Sequence, residues 1–255
     1  MLRLFIVVLV ALMAMRPAAA QSGSASSAPI TIAAASDLKY VLDSLVTLFN
    51  RQHPQAKVTV VYGSSGKFYE QLSHGAPFDI FFSADSEYPR RLQQAGRTAS
   101  APVPYAQGRL VLWSKKLDPK AKGLNTLLDP QVKRIAIANP AHAPYGQKAE
   151  EILRQYKLYD QVKSKLVLGE NIAQTAQYAA TGAADVGILA YSLALSPELR
   201  RAGTFYLIPV TAHTPLQQSY VVLKSAKDKT TAGIFATFMA SPPAKAALKK
   251  YGFGL

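Results

Sequence analysis

Apolar runs alternate with amphipathic segments along most of the chain. Short stretches of Ile, Val, Ala and Phe are each followed by residues whose apolar side chains recur at three- and four-residue spacing, as after Ser36. This alternation is typical of parallel or mixed sheets flanked by helices, so the sequence predicts an α/β fold. Strands are predicted over 29–35, 58–62, 78–84, 109–114, 134–139, 165–169, 185–190, 205–210 and 220–223. Helices are predicted after Ser36 and Gly66, before Gly96, and over 144–159, 172–181, 230–240 and 243–251.

The number of predicted elements fits two α/β lobes better than one sheet. No linker-like stretch separates the lobes, so we expect the chain to cross between them twice, near Gly108 and near Leu207. The first lobe would contain residues 29–108 and 208–255, and the second lobe residues 109–207. A cleft between two such lobes is where a small ligand would lie.

The N-terminus has the three parts of a secretory signal. An apolar run from Leu4 to Met15 follows a short basic start, and Ala18–Ala20 supplies the small residues of a cleavage site. A membrane anchor is the alternative, but this run is shorter than the roughly 20 residues that span a bilayer. We therefore predict a signal peptide over 1–20, a flexible leader over 21–28, and a mature protein in the periplasm that is not embedded in the membrane.

The charge of the chain does not indicate nucleic-acid binding. Although 29 Lys and Arg oppose 15 Asp and Glu, giving a net charge of +14, the basic residues are scattered. There is no arginine-rich stripe and no alternation of aromatic and basic residues of the kind that binds a phosphate backbone. The absence of cysteine also excludes disulfides and thiolate metal sites.

The motifs of common enzymes are not present. The segment 63–66, Gly-Ser-Ser-Gly, lacks the spacing of a nucleophile elbow, and Phe68 stands where a phosphate-binding loop needs Ser or Thr. The four histidines are far apart and are expected to be surface or capping residues; they are His53, His74, His142 and His213. The sequence predicts neither an enzyme nor a cofactor, with an exported hydrolase using Ser65 as the alternative.

Three junctions between a strand and a helix carry small or hydroxylated residues. They are Ala34-Ala35-Ser36, Gly63-Ser64-Ser65 and Pro144-Tyr145-Gly146. A helix N-terminus offers free backbone N–H groups and the positive end of the helix dipole, which together favour an anion. A site made of N–H and O–H groups suits a small, fully ionised oxyanion. Ordinary helix capping by residues such as Ser36 explains each single junction equally well.

Five segments resemble the periplasmic molybdate-binding proteins of ABC transporters. They are Ile30–Leu38, Tyr62–Gly66, Gly75–Asp85, Asn139–Gly146 and Tyr251–Phe253. The resemblance extends from about Pro29 to the C-terminus and implies the two-lobed type II periplasmic binding protein fold, with the ligand in the cleft between the lobes. It also implies that a tetrahedral dianion is held by hydrogen bonds alone, so that molybdenum is bound only as molybdate without direct ligands from the protein.

The resemblance assigns the ligand contacts position by position. Ser36 and Ser65 would supply hydroxyl and backbone donors, and Ile172 a backbone N–H at a helix start. Tyr145 occupies the middle of the family's Pro-x-Gly turn, where its side chain either supplies a hydroxyl or only packs. The last contact is open: Ala190 fills the position of a ligand-binding tyrosine by direct register, while the neighbouring Tyr191 is the alternative that can turn inward.

The implied function is the capture of molybdate, and of tungstate as well, for delivery to a membrane permease by a monomeric protein. Pocket size would select against sulfate, and the lack of an acceptor for a phosphate proton would select against phosphate. Asp37, a carboxylate beside the expected anion, is predicted to point away and cap its own helix. A protein of the same fold that binds sulfate, a metal or an organic anion is the alternative.

Overall fold

The structure, a computed structural model, describes residues 29–226 and 228–255. The predicted signal peptide and leader, residues 1–28, lie outside these ranges. Ten strands are found in the described ranges: β1 Ile30–Ala35, β2 Val58–Gly63, β3 Ile80–Ser83, β4 Val103–Gly108, β5 Leu110–Ser114, β6 Ile135–Ala138, β7 Leu166–Gly169, β8 Val186–Ala190, β9 Thr204–Leu207 and β10 Leu216–Val222.

The same residues form eleven α-helices. They are α1 Lys39–Gln52, α2 Ser65–Ser73, α3 Glu87–Gln94, α4 Pro119–Lys122, α5 Pro144–Gln155, α6 Tyr159–Val162, α7 Ile172–Thr181, α8 Tyr191–Ala194, α9 Pro197–Ala202, α10 Lys229–Met239 and α11 Pro242–Lys250. A short 3-10 helix, Ser36–Leu38, connects β1 to α1.

The strands form two mixed sheets of five strands each. In the first sheet the order is β2-β1-β3-β10-β4, with β1 parallel to β2 and β3, and β10 antiparallel to β3 and β4. In the second sheet the order is β7-β6-β8-β5-β9, with β6 parallel to β7 and β8, and β5 antiparallel to β8 and β9. The chain changes sheets between β4 and β5 and again between β9 and β10. The exact lobe boundaries stay a prediction.

Each sheet is stabilised by its own apolar core. In the first sheet, Ile30 and Ile32 of β1 pack with α1 and α10, where the rings of Phe49 and Phe235 meet edge to face at 4.9 Å. In the second sheet, Trp113 is fully buried and its indole N–H donates to the backbone oxygen of Leu199 at 3.2 Å. Burying a side chain of this size contributes about 2–3 kcal/mol, so each sheet supports the loops at its edge.

Most predicted elements are confirmed within a few residues, and two differences have clear causes. Strand β4 was not predicted because Pro104 lies within it; β4 is an edge strand, where a proline removes no ladder hydrogen bond that the sheet needs. The single helix predicted over 144–159 ends at Gln155, before Lys157 adopts the left-handed conformation with φ of 57°. None of the helices in the described ranges has the length and apolarity required to cross a membrane.

Candidate anion-binding cavity

A small cavity of about 10 Å³, which is room for one water-sized sphere, lies between the two sheets. Sites for organic ligands are much larger, typically about 300–1,000 Å³, so this cavity suits only a small ion. Its lining residues come from four places where a helix begins and from Ala84, directly after β3; those at the helix starts are Ala35, Ser36, Asp37, Gly63, Ser64, Ser65, Ala143, Pro144, Tyr145 and Ile172. Four of the five predicted ligand residues, all except Tyr191, are therefore brought together.

The sheet topology explains why these residues meet. Strands β1 and β2 are parallel neighbours, and Ala35 at the end of β1 is paired with Gly63 at the end of β2. The carboxyl ends of parallel strands share one edge of a sheet, where ligands commonly bind. The helices that follow strands of the second sheet approach this edge from the other side, so helix starts surround the cavity.

Three helix starts offer backbone donors to the cavity. The N–H groups of Ser65, Tyr145 and Ile172 form no hydrogen bond with any residue that the structure describes. At the start of α7 the side chain of Asn171 accepts hydrogen bonds from the N–H groups of Ala173 and Gln174 and leaves the N–H of Ile172 free. Free N–H groups at the positive end of a helix dipole favour an anion.

The two predicted serines differ in their partners. The Ser65 hydroxyl oxygen accepts a hydrogen bond from the backbone N–H of Ala84 at 2.9 Å, which leaves its hydrogen available for donation. The Ser36 hydroxyl donates to Asn171 Oδ1 at 3.1 Å and accepts from the N–H of Ala173 at 3.2 Å. Ser36 therefore bonds to α7 across the cavity rather than capping its own helix.

His142 joins the two sides of the cavity and is not the surface or capping residue that the sequence indicated. Its side chain is buried, with Nδ1 2.8 Å from the Ser64 hydroxyl, which donates to the His142 backbone oxygen at 2.6 Å. The same oxygen accepts from the N–H of Gly66 at 2.9 Å. A Cβ atom on Gly66 would lie 2.6 Å from that oxygen, so the close approach requires glycine.

Asp37 lies in a buried polar cluster, where its side chain bonds to residues that are distant in the sequence. Its Oδ2 accepts from the Tyr145 hydroxyl at 2.9 Å and from Gln218 Nε2 at 2.7 Å. Desolvation raises the pKa of Asp37 to about 6, although the hydrogen bonds from Gln218 and Tyr145 oppose this increase. Since Asp37 lines the cavity, the expectation that no acceptor is present there was wrong.

Tyr145 contributes to this cluster with its hydroxyl. The hydroxyl donates to Asp37 and accepts from Gln218 Nε2 at 3.2 Å, so both of its hydrogen-bonding functions are used within the protein. Burial and the charge of Asp37 raise the pKa of Tyr145 well above its ordinary value. Gly108 makes room for the cluster, because a Cβ atom there would lie 2.5 Å from the tyrosine oxygen.

Tyr191 does not line the cavity. Its backbone N–H donates to the oxygen of Arg109 at 2.8 Å, and its ring packs edge to face against Phe205 at 5.5 Å. The ring also lies so close to Gly252 that a Cβ atom there would be 2.5 Å from it. The neighbouring Ala190 is completely buried in the core of the second sheet and is not a lining residue either.

Several residues of the site were missed by sequence reasoning. No sequence pattern indicated Asn171 or Gln218. Ser64 belongs to the Gly63-Ser64-Ser65 junction, in which only Ser65 was predicted as a ligand contact. The alternative nucleophile, Ser65, has no histidine among the hydrogen-bond partners of its hydroxyl in the described residues, whereas a nucleophilic serine needs an adjacent base. Across the part of the chain described, no three His, Cys, Asp or Glu residues are grouped as a metal site would need.

Comparisons with known proteins agree with this geometry. The family model of bacterial extracellular solute-binding proteins matches residues 30–254. The molybdate-binding protein ModA of Rhodobacter capsulatus is 36% identical over 200 residues, 77% of each chain. ModA of Azotobacter vinelandii is 34% identical over 233 residues, which are 91% of this chain and 92% of that relative.

The solved structure of the Azotobacter vinelandii periplasmic molybdate-binding protein superposes with a TM-score of 0.83. The sequences are 31% identical in this superposition, which covers 89% of this chain and 99% of the other. The two-lobed type II periplasmic binding protein fold predicted from the sequence is thereby confirmed. The chain belongs to the family of bacterial extracellular solute-binding proteins.

Proposed function

We propose that this protein captures molybdate, and tungstate as well, in the periplasm and delivers it unchanged to the permease of an ABC transporter. The observation that carries this proposal is the composition of the cavity. Its donors are neutral N–H and O–H groups, and no Lys or Arg is among its lining residues. Such donors suit a fully ionised tetrahedral anion, and the relatives described above are named for molybdate binding.

The proposed contacts come from both sheets. Ser65 donates its hydroxyl and backbone N–H from the first sheet, while Tyr145 and Ile172 donate backbone N–H groups from the second. Ser36 contributes its hydroxyl once the anion replaces one of its present partners. The anion thus holds the two sides of the cavity together. The protein acts as a monomer, without a cofactor and without a bond between the protein and molybdenum. Tyr191 is not included in this set, because its ring packs against Phe205.

Thermal unfolding of the exported chain, from Gln21 onward, tests this proposal. Molybdate, tungstate, sulfate and phosphate are added one at a time. A ligand at about a thousand times its Kd adds roughly 4 kcal/mol to the free energy of unfolding. For a chain of this length the Tm should increase by about 8–16 °C.

An increase with molybdate and tungstate alone supports the proposal. An equal increase with sulfate or phosphate would replace the proposed ligand by a wider class of oxyanions. No increase with any of the four anions would contradict the proposal, while membership of the solute-binding family would remain.

A further inference from the structure

Asp37 is an unusual residue for a cavity that is proposed to receive a dianion. It is one of the lining residues, and only 1% of its surface is exposed. Two side-chain donors, Tyr145 and Gln218, bond to the same oxygen, Oδ2. The other oxygen, Oδ1, is buried and has no hydrogen-bond partner.

No cation compensates the charge of Asp37. None of the ion pairs formed by residues 29–226 and 228–255 includes this carboxylate. An ionised Asp37 beside a dianion would place three negative charges in one buried site. Buried charges without a partner are strongly disfavoured, and a carboxyl group in that position becomes neutral instead.

The hydrogen bonds determine which oxygen takes the proton. Oδ2 already accepts from two donors, so a proton is accommodated on Oδ1. Oδ1 has no hydrogen-bond partner in the described residues, so an O–H group formed there needs an acceptor. An oxygen of the bound anion is the acceptor that the cavity can supply.

We infer that Asp37 contacts the bound oxyanion as a neutral carboxylic acid that donates a hydrogen bond from Oδ1, so that capture of one dianion takes up one proton. This inference rests on the proposed function and deepens it. It makes Asp37 a direct contact of the bound anion and couples the affinity for the anion to pH.

The pKa of Asp37 in the free protein agrees with this geometry. Desolvation raises the pKa of Asp37 to about 6, so the carboxyl is ionised in the free protein at pH 8 and has to gain a proton on binding. Burial raises the pKa of Tyr105 and Tyr145 well above their ordinary values, so both stay protonated in this range. The other titratable groups on the elements packed around Asp37 have partners elsewhere. Lys39 lies over the ring of Tyr62, and Arg109 over the ring of Tyr191. Asp85 bonds to Ser83 and Tyr88, and His142 bonds to Ser64.

Calorimetric titration of the wild-type protein with molybdate tests the inference. At pH 8, titrations in two buffers of different ionisation enthalpy measure the protons taken up, and we expect about one proton per anion. Between pH 7 and pH 8.5 the Kd should increase about tenfold per pH unit, and below about pH 6 it should become constant.

Asp37→Asn is the matched variant. The amide can accept from Tyr145 and Gln218 with its oxygen and donate to the anion with its nitrogen, so it imitates the protonated acid at every pH. We expect D37N to bind molybdate without proton uptake, with a Kd that does not change with pH and is at least about tenfold lower than the wild-type Kd at pH 8. Its Tm at pH 8 should not fall below that of the wild type, which confirms that it folds.

The control variant is His142→Asn, which removes another ionisable side chain beside the cavity. It should keep the proton uptake and the pH dependence of the wild type, whatever its affinity. Molybdate binding by the wild type without proton uptake would overturn the inference and leave the proposed function intact. Absence of molybdate binding by the wild type at every pH would instead contradict the proposed function, and the inference with it.

Discussion

Two serines at equivalent junctions of the first sheet have different roles in the cavity. Ser36 follows β1 and Ser65 follows β2, and the two parallel strands end side by side. The Ser65 hydroxyl is oriented by Ala84, a residue of the same sheet, and its hydrogen is left free. The Ser36 hydroxyl bonds to Asn171 and Ala173 of the opposite side. One serine is a fixed donor, whereas the other already connects the two sides.

This difference separates two contributions to affinity. A donor that is held by its own sheet loses little freedom when the anion arrives, so most of its hydrogen bond appears as binding energy. A hydroxyl with partners across the cavity has to exchange one of them, so its net contribution is smaller. The two sides of the cavity also meet at the hydrogen bond from the N–H of Gly66 to the backbone oxygen of His142.

The largest effect on molybdate binding is expected from Gly66→Ala, which disturbs the contact between the two sides of the cavity. The added Cβ atom would lie 2.6 Å from the backbone oxygen of His142, which cannot move aside as the end of a flexible side chain can. Overpacking of this kind costs about 3 kcal/mol, so the Kd measured by calorimetry should increase about 150-fold.

Gly233→Ala is the control for this substitution. Gly233 lies inside α10 with nothing within 4 Å of the added atom, so the affinity should not change. Alanine should increase the free energy of unfolding by about 0.5–1 kcal/mol, because glycine weakens a helix interior. Wild-type affinity of the Gly66→Ala variant would show that the approach at His142 is not required for capture.

Ser65→Ala is expected to have the second largest effect. The substitution removes a fixed donor to a buried anion and leaves the N–H of Ala84 without its acceptor. Hydrogen bonds to charged groups contribute about 1.5–3 kcal/mol, so the Kd for molybdate should increase roughly 10- to 150-fold.

Ser73→Ala on the same helix is the matched control. The Ser73 hydroxyl donates only to the backbone oxygen of Tyr69 within α2, away from the cavity, so its loss should leave the affinity unchanged. If Ser65→Ala and Ser73→Ala bind molybdate equally well, Ser65 is not a ligand contact.

The fold was predictable because it follows from local patterns. Helix α7 was predicted with its observed ends, since Ile172 begins an amphipathic segment and Gly182, with φ of 81°, ends it. The sequence also indicated the junctions of Ser36, Ser65 and Tyr145 as anion donors. Strand β4 was not predicted because it contains a proline. The proline is tolerated because β4 lies at the edge of its sheet, and no local sequence pattern reveals an edge position.

The partners of the cavity residues could not be predicted in the same way. Gln218 is 181 positions from Asp37, and His142 is 78 positions from Ser64. These pairs form only because two sheets meet, so neither periodicity nor a motif indicates them. The same reason explains the expectation that Asp37 caps its own helix: a local role was the only one visible in the sequence, whereas the structure directs the carboxylate to the interior.

The smallest effect on affinity, and the sharpest test of the comparison, is expected from Ser36→Ala. The substitution removes one donor to the anion, but it also removes the cost of breaking the hydrogen bond from this hydroxyl to Asn171. The two changes partly cancel, so we expect a loss of about 1 kcal/mol, or roughly fivefold in Kd.

Because the Ser36 hydroxyl connects the two sides, its removal should also increase the radius of gyration measured by X-ray scattering without added anion, whereas Ser65→Ala should leave this radius unchanged. Ser36→Thr, which keeps the hydroxyl, should resemble the wild type in both measurements. A larger loss of affinity from Ser36→Ala than from Ser65→Ala would reverse the roles of the two serines, because the hydroxyl shared across the cavity would then be the stronger donor to the anion.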